Sequence, residues 1–126
     1  MSDKENFTTF ALVKQERRII AYKHYFAEFM ESLTPAEQKK VVYVLDMLKS
    51  QQRINAKFVK LIRDGLYELR VESGGNIYRV FFIFDDGNIV ILFNGFQKKT
   101  QKTPESEINK AMNLKKEYYG TKGDRQ

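Results

Sequence analysis

Hydrophobic residues recur along this chain with two spacings, and the spacing changes from segment to segment. Residues 17–23, RRIIAYK, are rich in β-branched and aromatic side chains, which is typical of a short strand. In residues 24–33 the apolar side chains recur three or four positions apart, as on one face of a helix. A second helix is predicted because Thr34 can cap it, Pro35 suits its first position and Glu37 completes a capping box. The buried face of this helix is predicted to hold Val41, Val44, Leu45 and Leu48.

The middle of the chain is dominated by apolar and alternating runs. Residues 66–72, 77–84 and 89–96 are predicted strands, separated by the turn sequences S-G-G-N and D-D-G-N. Turns this short join antiparallel neighbours, so the three strands are expected to form a meander. Residues 55–63 remain ambiguous between strand and loop. A last helix is predicted over residues 103–119, with acidic residues in its first turn.

The element order β-α-α-β-β-β-α predicts an α+β fold: a four-stranded, mainly antiparallel sheet with helices packed on it. We expect a flexible arm at residues 1–14, one domain over residues 15–120 and a flexible tail at residues 121–126. The strands at 77–84 and 89–96 are apolar on both faces. Helices can cover one of those faces only partly, and the other face is then expected to line a groove or meet a partner.

Composition narrows the possible chemistry. The 126 residues are 42% hydrophobic, which is enough for one core, and they include no cysteine and a single histidine, His24. Thiolate metal sites, disulfides, cysteine nucleophiles and histidine-based triads are therefore excluded, and no cofactor is expected. The N-terminus lacks the pattern of a secretory signal, and no apolar run approaches the ~20 residues of a membrane helix. We expect a cytoplasmic protein without a membrane contact.

The formal net charge is +6, and the positive charge is concentrated toward the C-terminus. Residues 95–126 contain eight lysines and arginines against four acidic residues. Such a balance is compatible with a nucleic acid or an acidic protein as partner.

Three segments hold the candidate chemistry. Residues 97–103, QKKTQKT, carry three lysines and two threonines with no acid, at the predicted end of the sheet. Arg79 interrupts an otherwise apolar strand, so it either pairs with Glu68 or Glu72 or faces a groove where it grips a phosphate. On the preceding strand, Glu68, Arg70 and Glu72 alternate onto one face, as a cleft wall or as an ordinary solvent face.

Together these segments suggest a site that holds RNA and cuts it. The predicted catalytic set is Arg70, Arg79, Lys98 and Lys99. The predicted RNA contacts are Glu68, Thr100, Lys102 and Thr103, although Thr103 is equally suited to cap the last helix. Lysines stabilise the charge that builds on phosphorus during cleavage, and Glu68 or a lysine of lowered pKa is the candidate general base.

The segments D-G-L-Y-E-L-R (64–70), I-Y-R-V-F-F (77–82) and F-Q-K-K-T-Q-K-T-P (96–104) resemble toxins of the RelE/ParE superfamily, in particular the HigB-like, phage-derived branch. The resemblance covers residues 17–119 and implies a RelE-like microbial-RNase-type fold. It implies a type II toxin that cleaves mRNA on the ribosome and inhibits translation, and we expect that cleavage to be metal-free. The implied partner is a HigA-like helix-turn-helix antitoxin, through which alone the pair contacts operator DNA.

Carried over by residue, the resemblance matches Arg79 to the strand arginine that contacts the scissile phosphate. It matches Arg70 to a basic residue on the preceding strand, and Lys98 and Lys99 to the basic pair after the last central strand. Glu68 occupies a position that is basic in RelE, and Tyr118 is a loose candidate for the C-terminal catalytic tyrosine of some relatives. Three alternatives stay open: a ParE-like gyrase inhibitor, a non-catalytic module that binds RNA or docks an antitoxin, and a basic domain with an unrelated protein partner.

Overall fold

The computed structural model describes residues 16–124, so the predicted arm at residues 1–14 lies outside the described part of the chain. The predicted α+β class and element order are confirmed, with one additional strand. None of the described helices has an apolar stretch long enough to cross a membrane. In chain order the elements are β1 (Arg18–Ala21), α1 (Tyr25–Glu31), α2 (Pro35–Ser50), β2 (Val59–Arg63), β3 (Leu66–Ser73), β4 (Asn76–Asp85), β5 (Ile89–Lys98) and α3 (Glu105–Asp124).

The sheet has five strands in the order β1-β5-β4-β3-β2, so the prediction of four was wrong by one. β1 runs parallel to β5, and the other neighbours are antiparallel. The additional strand, β2, is a sheet edge with the sequence VKLIR, and its half-buried and exposed positions do not alternate: Leu61, for example, is 56% exposed. It joins β3 through Asp64 and Gly65, both with positive φ, as a two-residue hairpin turn of type I′ requires.

The second helix begins as its sequence predicts. The Thr34 amide donates to Glu37 Oε1 over 2.8 Å, and the Glu37 amide donates to Thr34 Oγ1 over 3.3 Å, which completes the capping box. Pro35 occupies the first turn, where its missing amide hydrogen is not needed. The face of α2 that packs on the sheet buries Val41, Val44 and Leu48, as expected.

Helices pack on both faces of the sheet. On one face, α1 and α2 cover a cluster that includes Leu69, Val80 and Leu92. On the other face, α3 covers a smaller cluster built from Leu66, Phe81, Ile83, Ile91 and Phe93. Because α3 crosses only part of this second face, the end of the sheet near the start of β4 is left uncovered.

The far end of the same face is tied down by polar contacts from α3. Tyr118 donates to Asp85 Oδ2 over 2.6 Å, and Lys122 pairs with the same carboxylate at 2.8 Å. The Lys122 contact lies beyond Gly120, where we expected a flexible tail to begin, and the helix continues to Asp124. Asp85, the partner of Tyr118, lies six residues along β4 from Arg79. At about 3.3 Å per residue this is about 20 Å, so Tyr118 lies at the opposite end of the sheet from Arg79.

Candidate functional site

The uncovered end of the sheet forms an open cleft of about 610 Å³, here called the basic cleft. It is bounded by the ends of β3, β4 and β5 and by the loop that follows β5. All four residues predicted as catalytic line it. The lining consists of Arg70, Ile77, Arg79, Lys98, Lys99, Thr100 and Gln101.

Strand register explains why these cations share one face. Arg70 is paired with Arg79 across β3 and β4, and Ile77 is paired with Lys98 across β4 and β5. Directly opposed residues of antiparallel strands point to the same side of the sheet. Arg79 and Ile77 lie two positions apart on β4 and so share a face. Arg70, Arg79 and Lys98 therefore converge although they come from three strands.

A β-bulge in β5 is what brings Lys98 to this face. The pairing changes by one residue between Phe82–Leu92 and Val80–Gly95. A one-residue shift moves every following side chain to the other face of a sheet. Without it, Gln97 would oppose Ile77 and the Lys98 side chain would point toward α1 and α2.

Arg79 is held in place from within the domain. Its Nη1 lies 2.8 Å from Glu68 Oε1, and the two side chains are only 7% and 1% exposed. Burial lowers the pKa of Arg79 and the Glu68 carboxylate raises it, yet a guanidinium stays charged in either case. Its Nε is buried and has no hydrogen-bond partner, so one donor of the guanidinium is left unsatisfied inside the domain.

Glu68 is buried instead of forming the cleft wall or solvent face that the alternation suggested. Its second oxygen, Oε2, accepts a hydrogen bond from Thr103 Oγ1 over 3.0 Å. Each oxygen therefore already has a partner, and a carboxylate has no proton to offer a phosphate. This geometry favours a role in orienting Arg79 over the predicted contact with RNA.

Arg70 and Lys98 are the partly exposed cations of the cleft. Arg70 pairs with Glu72 at 3.0 Å, its side chain is 36% exposed, and its Nε has no partner. Burial lowers the pKa of Lys98, and the positive charge of Arg79 lowers it further. Like charges opposed across strands are destabilising, so the Arg70–Arg79 pair is a stability cost that a bound anion would relieve.

Of the predicted RNA contacts in the loop after β5, some line the basic cleft and others bond within the domain. Lys99 and Thr100 are exposed and line the cleft, and Thr100 Oγ1 donates to the Lys102 carbonyl over 2.8 Å, which shapes the loop. Thr103 is committed to Glu68. Lys102 is exposed but is not among the lining residues.

Sequence reasoning missed one basic residue near the cleft. Lys60 lies directly opposite Glu68 on β2, on the face that carries Arg79, and its charge also lowers the pKa of Lys98. It was overlooked because β2 was not recognised as a strand. His24 is exposed at the start of α1, and it and Tyr118 are both absent from the cleft lining. Among residues 16–124, no three His, Cys, Asp or Glu side chains come together as a metal site would require.

Comparisons with known proteins agree with this architecture. Residues 28–116, more than two thirds of the chain, match the family described as "Phage derived protein Gp49-like (DUF891)". An uncharacterized protein of Haemophilus influenzae is 32% identical over 83 residues, covering 58% of this chain and 80% of that protein. The fold is similar to the archaeal RelE–RelB complex structure from Pyrococcus horikoshii, with a TM-score of 0.50 and 17% identity, covering 67% of this chain and 97% of that one. At that identity the likeness concerns the fold, and it confirms the predicted RelE-like architecture.

Proposed function

This chain belongs to the Gp49-like phage-derived family, a RelE/ParE-like toxin family, and from that premise we propose that it is the toxin of a type II toxin–antitoxin pair. We propose further that it is an endoribonuclease that cleaves mRNA on the ribosome and so inhibits translation. The single observation that supports this most is the basic cleft, where cations from three strands and a loop line one concavity. Placement in the HigB-like branch stays a prediction.

In the proposed reaction, the ribose 2′-hydroxyl loses its proton to a base and its oxygen attacks the adjacent phosphorus, while the 5′-oxygen of the next nucleotide leaves and takes up a proton from solvent. The products are a 2′,3′-cyclic phosphate and a 5′-hydroxyl end. Arg79 and Arg70 hold the scissile phosphate, because a guanidinium matches two phosphate oxygens at once. Glu68, which touches Arg79 and not the substrate, acts as a positioning residue.

Lysines supply the remaining chemistry. Lys99 and Lys98 stabilise the charge that develops on the phosphorane oxygens, and Lys60 attracts the flanking backbone. Lys98 is also the best-placed general base, because burial and the neighbouring Arg79 lower its pKa toward the working range. Glu68 is poorly suited to that task, since both of its oxygens are engaged inside the domain.

The ribosome's part in this proposal is to bend the message into line for attack. The cleft is open and offers few surfaces that would fix the 2′-hydroxyl in line with the leaving oxygen, so alignment must come from outside. The proposed partner is an antitoxin, of the HigA-like helix-turn-helix kind, through which the pair would contact operator DNA. The RelE neighbour was solved in complex with RelB, which supports an antitoxin partner without specifying its type.

The test compares cleavage of one defined mRNA, free and bound to programmed ribosomes. We expect cleavage on ribosomes and little or none of the free message, with 2′,3′-cyclic phosphate ends. Lys98→Gln and Lys99→Gln should each reduce the rate by at least about tenfold, as expected for lost transition-state charge stabilisation. Lys116→Gln, which removes an exposed lysine on α3, is the matched control and should leave the rate unchanged. Equal cleavage of free and ribosome-bound mRNA would contradict the division of labour, and no cleavage of either would contradict the nuclease.

A second candidate function is inhibition of DNA gyrase, as in ParE-like toxins on the same scaffold. The clustered cations favour RNA, because phosphate cleavage needs charge stabilisation at one point. A plasmid supercoiling assay separates the two. Gyrase inhibition that survives Lys98→Gln and Lys99→Gln would replace the nuclease with this alternative.

A further inference from the structure

A second concavity of about 530 Å³ adjoins the basic cleft, and no part of the proposed reaction uses it. It lies between α2, the start of β2 and the tip of the β3–β4 hairpin. We call it the tyrosine pocket. Its lining is Lys40, Tyr43, Val44, Lys57, Phe58, Arg70, Glu72, Ser73, Gly74 and Gly75.

The two concavities are joined through one side chain. Arg70 lines both of them, and its side chain is 36% exposed. Arg70 is the one lining residue that the two concavities share, so an RNA strand held in the basic cleft would reach the tyrosine pocket past this side chain, at the edge of β3 where α2 forms the far wall.

The pocket combines an exposed ring with positive charge. Tyr43 is 58% exposed, an unusual position for a large aromatic side chain, and Lys40 lies over its ring at 5.8 Å. Lys57 lies 5.7 Å from the ring of Phe58 in the same way. Three cations against one carboxylate, Glu72, leave the lining with a surplus of two positive charges. Aromatic rings interleaved with cations are the arrangement by which proteins bind single-stranded nucleic acid.

The hairpin tip leaves room for a flat ligand. Gly74 and Gly75 both have positive φ, and an added Cβ at either would meet nothing within 4 Å. The lining combines the apolar side chains of Val44 and Phe58 with the cations. A nucleotide has this combination of a flat base and an anionic phosphate, whereas an apolar peptide segment would leave the cations unpaired.

We propose that the tyrosine pocket is a subsite for one nucleotide of single-stranded RNA next to the scissile phosphate, with its base against Tyr43 and its phosphate near Lys57 and Arg70. This inference rests on the proposed function, because it concerns how the RNA that is cleaved in the basic cleft continues outside that cleft. In this proposal the tyrosine pocket binds a nucleotide and anchors the RNA strand, while the residues of the basic cleft cleave it.

The experiment measures binding of a short, fluorescein-labelled 2′-O-methyl RNA, which cannot be cleaved, to the full chain at low ionic strength. Tyr43→Ala should weaken binding by about 5- to 100-fold, the effect expected for loss of one base–aromatic stack. Tyr43→Phe keeps the ring and should bind within about twofold of the parent chain. Val42→Ala is the matched control, because Val42 is 48% exposed on the same helix and does not line the pocket.

A second set of oligonucleotides places one abasic nucleotide at successive positions. At one position, and no other, the loss caused by the abasic nucleotide and the loss caused by Tyr43→Ala should fail to add, because both remove the same stack. Additive losses at every position would overturn the subsite.

The outcomes distinguish a failure of the subsite from a failure of the proposed nuclease function. If Lys98→Gln and Lys99→Gln weaken RNA binding but Tyr43→Ala does not, the cleft binds RNA and the subsite is wrong. If the parent chain binds no RNA, both fail together. If Tyr43→Ala leaves RNA binding intact and instead weakens the complex with the antitoxin, the pocket is a protein interface and the inference is overturned.

Discussion

Removing either member of the buried Arg79–Glu68 pair should destabilise the domain more than removing both. Arg79→Met keeps the length of the side-chain stem but leaves the carboxylate of Glu68 buried without its counter-charge. Glu68→Leu leaves a buried guanidinium without its anion. In the double variant both charges are gone, and two apolar side chains of similar volume occupy the space.

The geometry of the Arg79–Glu68 ion pair sets the size of the expected loss in unfolding free energy. The pair is bridged at 2.8 Å with side chains 7% and 1% exposed. At an effective dielectric of ~20 and ~4 Å between charge centres, the attraction is about 4 kcal/mol. Breaking a buried pair from one side typically costs about 3–5 kcal/mol, whereas replacing the pair by packed apolar groups is often neutral. We expect each single variant to lose about 3–5 kcal/mol and the double variant about 2 kcal/mol or less.

Urea unfolding followed by far-ultraviolet circular dichroism measures this directly. With a slope of roughly 2 kcal/mol per molar urea, each single variant should unfold at a midpoint about 2 M lower than the parent chain. Since a domain has only about 5–15 kcal/mol of stability, such a loss by itself would reduce toxicity. Toxicity lost in the Arg79 single variant is therefore ambiguous, whereas toxicity lost in the folded double variant is not.

The matched control is the exposed pair of the same cleft. Arg70 and Glu72 are 36% and 55% exposed, so Arg70→Met and Glu72→Leu should couple by less than about 1 kcal/mol. If the losses at Arg79 and Glu68 simply add, to about 6–10 kcal/mol, the two charges do not stabilise one another and the positioning role of Glu68 is refuted.

Three further predictions concern packing, pH and the far end of the sheet. Gly95→Ala would place a Cβ 2.6 Å from ring carbons of Phe29 and should cost about 1–3 kcal/mol in urea unfolding, while Gly120→Ala, with open space around it, should be neutral or stabilising. If Lys98 is the base, ribosome-dependent cleavage should speed up as pH rises toward its lowered pKa, and Lys98→Arg, which cannot deprotonate, should flatten that rise. Burial raises the pKa of Asp85, but hydrogen bonds from Lys122 and Tyr118 outweigh it, so the net shift is downward. Its contribution is therefore complete above the ordinary carboxyl pKa and lost as pH falls through the lowered one. The stability gap between the parent chain and Asp85→Asn should accordingly close in acid, and a gap independent of pH would contradict this assignment.

The sequence predicted those features that depend only on residues close together in the chain. Thr34 and Glu37 satisfy each other's amides within one turn, so the start of α2 followed from four residues. The alternation of β4 placed Arg79 on one face and Tyr78 on the other, because that period belongs to any strand. The cluster of lysines at the end of the sheet was also visible, since its order along the chain sets its place after β5.

The features that the sequence did not predict depend on pairing between residues far apart in the chain. β2 is a five-residue edge strand that pairs only with β3, and its mixed apolar and basic sequence, VKLIR, left residues 55–63 ambiguous, so neither the strand nor Lys60 on it was recognised. Whether Arg79 pairs with Glu68 or Glu72 depended on the position of Thr103 and on which carboxylate is buried. The bulge in β5, which turns Lys98 toward Arg79, depends on pairing with β4. The sequence by itself therefore determined which charges this protein carries and on which elements, and only the tertiary structure decided that they face one another, because a register shift of one residue reverses every side chain beyond it.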